Sequence, residues 1–329
     1  MSALSDRLKA LTFEELPLQC GTTLPAATLA WCHYGPPPEK ARTVTLLLHG
    51  ISGSPQAAIA ADDRPEFYDR GWFHDWIGPD RLFDTEDHCV LVPNALGSCF
   101  GSTGPQYWPQ PDTFPDISIG DTVALQGLWL QALGIARLDA VIGYSYGGYQ
   151  AFEWAMRAPV PVDKIVVLAS GPRGSGSAAD IQKLRGIAAD LRSGKPGTPE
   201  LWIQQRLNTL KNYGYALKLA DDGVEDPAAR LRLAAETWAR QFSPWAMASL
   251  RGASVNFDVR QELADARNPM PLLWMQCQSD PLFPCEFTNY QENPRLNTLC
   301  IPGKYKHVSP TQESSLWIGH VAAFLSDSA

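Results

Sequence analysis

Residues 140–156 read AVIGYSYGGYQAFEWAM. An apolar run, Leu138 to Ile142, gives way at Gly143 to a helical pattern over Gly147 to Met156. Between them Gly143-Tyr144-Ser145-Tyr146-Gly147 matches G-x-S-x-G. A tight strand-to-helix turn forces its central residue into a strained backbone, and the flanking glycines remove side chains that would collide there. The hydroxyl of Ser145 then stands above a sheet, at a helix N-terminus that favours developing negative charge. An incidental serine in a glycine-rich turn is the plainer alternative. The strand before and the helix after favour a nucleophile.

The surrounding chain supplies a frame for that turn. Short apolar runs bounded by Gly and Pro recur at Thr43–Leu48, Cys89–Val92, Leu138–Ile142, Lys164–Leu168, Pro271–Gln276 and Thr298–Ile301. Runs of this kind suit parallel strands buried on both faces. Helical spacing appears between them, over Ile117–Leu133 and Gly147–Met156, and again over Trp317–Leu325 at the end. Strand and helix in alternation predict an α/β fold with a mostly parallel, doubly wound sheet. Glu15–Cys20 and Thr28–His33 are expected as antiparallel edge strands. From Pro172 to Ala266 no strand is legible. Amphipathic segments at Ala178–Leu191, Pro199–Leu210, Pro227–Phe242 and near Val259–Ala266 predict an inserted helical cap, 172–266, on a core formed by 1–171 and 267–329. Such a cap would cover the strands' C-terminal edge, where open α/β sheets bind ligands.

Composition narrows the function class. The chain has 329 residues, 45% hydrophobic and 19% charged, with a formal net charge of −8. No basic cluster suggests nucleic acid as a partner. No apolar run approaches the length of a membrane span, roughly 18 residues. The opening stretch MSALSDRLKALTFEELPLQCG lacks an unbroken apolar core, so no leader peptide is read there. Seven cysteines are scattered without CxxC pairs. That reads as reduced thiols in a cytoplasm, and no His/Cys/carboxylate grouping suggests a metal site.

A serine needs a base to become a good nucleophile. Where G-x-S-x-G sits on such a sheet, its partners follow in the order acid, then histidine. Six histidines are present, and only His307 and His320 lie late enough. His320 falls inside the last helical pattern. His307 follows the last strand in TLCIPGKYKHVSP and is preferred. The acid is expected after the preceding strand, which selects Asp280 in QCQSDPLFP, although Asp-Pro is also an ordinary turn. Asp258 and Asp265 precede that strand and are weaker rivals. The oxyanion of an attacked carbonyl needs fixed donors. The backbone N–H groups of Tyr146 and of Ile51, in the loop His49–Gly53, are the candidates, with His49 holding the loop.

LLLHGISGS, GWFHDWIGPDRLFDTEDHCVLVPNALGSCFGSTGP and VIGYSYGGYQAFEWAM together resemble the homoserine O-acetyltransferase superfamily of α/β-hydrolase fold proteins. The likeness runs from about Leu18 to the C-terminus, and CFGSTGP is its most specific part. The resemblance implies Ser145, Asp280 and His307 as a triad, no required cofactor, and a homodimer made through the cap. The family holds both acetyl-CoA-dependent O-acetyltransferases and plain esterases, so acetyl-CoA is expected as a donor substrate only if this chain is a transferase. Family transferases carry a cap arginine with a tyrosine seven residues later, near the acceptor. Arg206 and Tyr213 match that spacing, and Arg206 reads either as a carboxylate clamp or as a solvated helix residue. Family transferases also follow the histidine with an aspartate that contacts the amino-acid acceptor. Here Val308 stands there, and tyrosines flank the serine in place of a small residue and methionine. A valine cannot pair with an ammonium group, which favours water, and thus hydrolysis of a short-chain ester, over homoserine. A ligand receptor that has lost catalysis is the reading from another class. An intact triad argues against it.

Overall fold

The structure is a computed structural model that describes residues 8–58 and 71–327. Residues 1–7, part of the stretch read above for a leader, lie outside the described residues. The first half runs β1 (Lys9–Pro17), β2 (Thr23–Tyr34), β3 (Thr43–Leu48), β4 (His88–Pro93), α1 (Ile119–Ala132), β5 (Leu138–Tyr144), α2 (Tyr146–Arg157) and β6 (Val162–Leu168). Six helices follow: α3 (Ala178–Arg192), α4 (Thr198–Tyr213), α5 (Tyr215–Asp221), α6 (Pro227–Gln241), α7 (Pro244–Val255) and α8 (Arg260–Ala264). The chain then returns to the sheet with β7 (Leu272–Cys277) and β8 (Leu296–Ile301), and ends in α9 (Ser309–Gln312) and α10 (Ser315–Ser326).

The described strands build one eight-stranded sheet in the order β1-β2-β4-β3-β5-β6-β7-β8. β3 to β8 are parallel to one another, while β2 pairs antiparallel with β4 and β1 antiparallel with β2 at one edge. The unbroken apolar runs have a simple cause. Val141, Ile165, Val167 and Trp274 pack into one layer, and Ile142, Val166, Leu168 and Met275 into the other. Both faces of these strands are covered, so no polar alternation survives. Each aliphatic side chain so buried contributes about 1.5–3 kcal/mol. The chain passes from β3 outward to β4 and then back across to β5, so the winding reverses beside β3. That reversal opens a crevice at the strands' C-terminal ends.

The helices between β6 and β7 are closed by local signals. Ser177 and Asp180 form a capping box on α3, and Asp226 caps α6 with Pro227 at its first position. The segments α5 and α7 are absent from the sequence reading. α5 is only seven residues long and starts directly after Gly214, too short for a periodic signal. α7 has small residues on several sides, which blunts its amphipathic pattern.

The cysteine reading is corrected. Cys285 and Cys300, 15 positions apart in sequence, form a disulfide with Cα atoms 5.8 Å apart. The loop after β7 folds back on β8 to make the pair, a tertiary event that scattered spacing does not reveal. Cys20, Cys89, Cys99 and Cys277 stand outside any disulfide among the described residues. Stable disulfides are uncommon in reducing compartments, so the cysteines no longer argue for a cytoplasmic setting. Among the described residues no helix is long and apolar enough to cross a membrane.

Candidate active site

Ser145 sits between β5 and α2 with φ 55° and ψ −117°. A non-glycine residue held there costs about 1–3 kcal/mol and persists only where its surroundings over-determine it. They do so here. The Ser145 N–H donates to the Leu168 carbonyl at 3.0 Å, and the Ser145 carbonyl accepts from Gly148 N–H at 2.8 Å. The glycines have steric causes. A Cβ at Gly143 would lie 2.1 Å from the Gly147 carbonyl oxygen, and one at Gly147 would lie 2.1 Å from that of Leu48. Both obstacles are backbone, so nothing cheap can yield. Gly147→Ala is expected to destabilise the fold by about 3 kcal/mol or more, read as the midpoint of urea unfolding. Gly186→Ala, in α3 with nothing within 4 Å, should leave that midpoint unchanged or raise it by up to about 1 kcal/mol.

The fold brings Ser145 to the two residues picked from the late chain. His307 Nε2 lies 2.8 Å from Ser145 Oγ, and His307 Nδ1 lies 2.8 Å from Asp280 Oδ2. The other Asp280 oxygen accepts the Leu282 N–H at 2.9 Å, which fixes the carboxylate plane. Asp280 follows β7 and His307 follows β8, adjacent parallel strands that deliver both loops to the same edge. The loops are tied together by the Lys306 N–H, which donates to Ser279 Oγ at 3.0 Å. His307 and Asp280 are almost wholly buried, at 1% and 3% exposure. The rivals lie elsewhere: Asp258 and Asp265 are exposed and paired with Arg260 and Arg267, and His320 is exposed on α10.

The loop after β3 borders the serine. A Cβ at Gly50 would lie 3.4 Å from Ser145 Cβ, so backbone and nucleophile are nearly in contact. Neither the Ile51 nor the Tyr146 N–H is spent on a loop or turn hydrogen bond among the described residues. Tyr146 opens α2, where the first N–H groups have no intrahelical acceptor. His49 is buried with Nδ1 2.9 Å from the Gly50 carbonyl and Nε2 3.1 Å from Asn94 Oδ1. Burial pushes its pKa down, and the ring braces the loop against Asn94, beyond the end of β4.

A cavity of about 400 Å³ opens onto Ser145 and His307. Its walls include Trp72, Tyr144 and Val308 from the sheet side, and Arg206, Tyr213 and Trp238 from α4 and α6. Arg206 is only 6% exposed, which rules out the solvated-helix alternative. Its Nη1 donates to Ser52 Oγ at 3.0 Å, and its guanidinium lies 4.6 Å from the Trp238 ring centre. Tyr213 meets the His307 ring edge-on at 4.6 Å. Two aromatic neighbours of His307 escaped the sequence reading. The rings of Tyr144 and Phe283 both lie 5.5 Å from the imidazole, within 25° and 28° of parallel. Phe283 follows Asp280 by three residues, and that proximity was the available signal.

A family model described as alpha/beta hydrolase fold matches residues 44–318. The chain belongs to the alpha/beta hydrolase fold family. Among its relatives in this family, the homoserine O-acetyltransferase of Carboxydothermus hydrogenoformans is 37% identical over 171 residues, 50% of this chain and 45% of that protein. This alpha/beta hydrolase spans about half the length of the curated relatives it matches. The homoserine O-acetyltransferase from Bacillus anthracis superposes with a TM-score of 0.80 at 19% identity, covering 98% of each chain. Esterase E22 superposes with a TM-score of 0.77 at 22% identity, covering 97% of this chain and 100% of its own. At those identities the two structures speak for the fold alone.

Proposed function

We propose that this alpha/beta hydrolase is a serine acyl-transfer enzyme that hydrolyses short-chain carboxylic esters. The observation that carries the reading is the relay from Ser145 through His307 to Asp280, 2.8 Å at each step, facing a cavity. In this reading Ser145 Oγ attacks the ester carbonyl while His307 Nε2 takes its proton. The Ile51 and Tyr146 N–H groups hold the oxyanion, each donor being worth about 10²–10³-fold in rate. His307 returns the proton to the departing alcohol and the acyl group stays on Ser145. Asp280 keeps the proton on Nδ1, so Nε2 can accept, and it stabilises the imidazolium. A second acceptor, activated by the same Nε2, releases the acid. This route asks for no prosthetic group. The helices of 172–266 serve as the cap, lending Arg206, Tyr213 and Trp238 to the cavity.

Water is favoured as that acceptor because Val308, next to His307, is apolar and 1% exposed. An amino-acid acceptor would bring an ammonium group and find no carboxylate at that position. A second reading, an acetyl-CoA-dependent O-acetyltransferase, is supported by two observations. The relative from Carboxydothermus hydrogenoformans is named a homoserine O-acetyltransferase, and Arg206 lines the cavity where a substrate carboxylate would be clamped. Two assays separate the readings. Hydrolysis of a short-chain acetate ester, with no acetylated homoserine or serine formed from acetyl-CoA, is the expected result. CoA release that depends on the added amino acid and outpaces ester hydrolysis would reverse the order of the two readings.

A further inference from the structure

Tyr144 belongs to two parts of the site at once. Its backbone is the last of β5 and leads directly into Ser145. Its side chain reaches the loop after β8, where the phenol donates to the His307 backbone carbonyl at 3.0 Å. The ring lies nearly parallel to the imidazole at 5.5 Å and, at 6.1 Å, to the Trp72 ring. Trp72 in turn donates its Nε1–H to the Ser54 carbonyl at 3.0 Å, just beyond the loop that carries Ile51. Phe283, from the loop that carries Asp280, stacks on His307 as well. One run of rings therefore spans all three loops that approach the serine.

The His307 segment needs such support. Lys306, the residue before it, has φ 49°, a left-handed backbone uncommon for a residue with a side chain. Besides Tyr144, the segment is pinned by Ser279 Oγ on the Lys306 N–H and by the turn from Val308 N–H to the Tyr305 carbonyl. Burial pushes the Tyr144 phenol well above its usual pKa, so it remains a donor at neutral pH.

We propose that Tyr144 is a positioning residue: it couples nucleophile to base, so that the residue whose backbone aims Ser145 also fixes His307 in place through its hydroxyl and ring. This inference rests on the reading of His307 as the base. A tyrosine that merely walled the cavity would govern how tightly substrate binds. A positioning tyrosine governs how often the relay is aligned, and a misplacement of about 1 Å in such a relay costs roughly 10²-fold.

The test is steady-state hydrolysis of a short-chain acetate ester by the full chain and three variants. Tyr144→Phe keeps the ring and removes the donor, Tyr144→Leu removes both, and Phe283→Leu removes the other stacked ring. The expected result is a kcat lowered about tenfold in Tyr144→Phe and about 10²-fold in Tyr144→Leu, with KM within about twofold. Phe283→Leu should show the same split between kcat and KM. Thermal melting of Tyr144→Phe, which is nearly isosteric, should match the parent. A Tyr144→Phe enzyme with kcat within about twofold of the parent, or a loss carried by KM alone, overturns the inference. Substantial activity in Ser145→Ala would instead sink the underlying acyl-transfer reading, whatever Tyr144 does.

Discussion

Replacing Ser145 by alanine is expected to lower kcat for ester hydrolysis by roughly 10⁵–10⁶-fold, leaving a folded protein. Three features support so large a loss. Oγ is the atom that His307 Nε2 faces at 2.8 Å. The turn holding it is strained, with φ 55°, and backbone lies 2.1 Å from the Cβ positions that Gly143 and Gly147 lack. Among the described residues Ser145 Oγ is the hydroxyl hydrogen-bonded to His307 Nε2. The Ile51 and Tyr146 N–H groups proposed to hold the oxyanion survive the change, as does the cavity, so a small residual rate above water is expected. Alanine keeps the Cβ and loses one hydrogen bond, so stability should move by no more than about 1 kcal/mol. Retention of more than a few per cent of activity in a purified, correctly sequenced variant would remove Ser145 from the reaction.

Asp280→Asn should lower kcat by about 10⁴-fold with little change in KM. The cause is a tautomer. Asp280 accepts from His307 Nδ1 and, through its other oxygen, from the Leu282 N–H. An asparagine seated in the same place keeps its oxygen on the Leu282 N–H and turns its amide nitrogen towards Nδ1. The imidazole must then carry its proton on Nε2 and can no longer accept one from Ser145. Asp258→Asn and Asp265→Asn, at exposed acids with their own arginine partners, should leave kcat unchanged. If Asp280→Asn were as active as the parent and Asp258→Asn were not, the acid would have been assigned to the wrong strand end.

Much of this arrangement is legible in one dimension, for identifiable reasons. Thr43–Leu48 and Leu138–Ile142 are continuous apolar runs because both sheet faces are covered, and the structure puts β3 and β5 there. Gly143 and Gly147 stand out because backbone passes within 2.1 Å of each missing Cβ. His307 is distinguished from His320 by position alone, a loop after a strand against the middle of a helix. What stayed hidden depends on contacts between distant segments. β1 runs Lys9–Pro17, well before the expected Glu15–Cys20, because a largely exposed edge strand has little apolar pattern to register. The Cys285–Cys300 pair forms only when a loop returns to its neighbouring strand. The ring contacts of Tyr144 and Phe283 with His307 join residues far apart in the chain, and no local spacing announces them. Arg206 admits two readings in sequence because burial cannot be deduced from a helical pattern that is polar on most sides. Its 6% exposure decides that point.

The covalent step itself can be caught. Mixing the protein with an activated acetate ester, quenching in acid within the first turnovers and mapping the peptides by mass should find one acetyl group, on the peptide containing Ser145, absent from Ser145→Ala. Rapid turnover with no acetyl on that peptide at any quench time, or with the acetyl on a different side chain, would contradict the account.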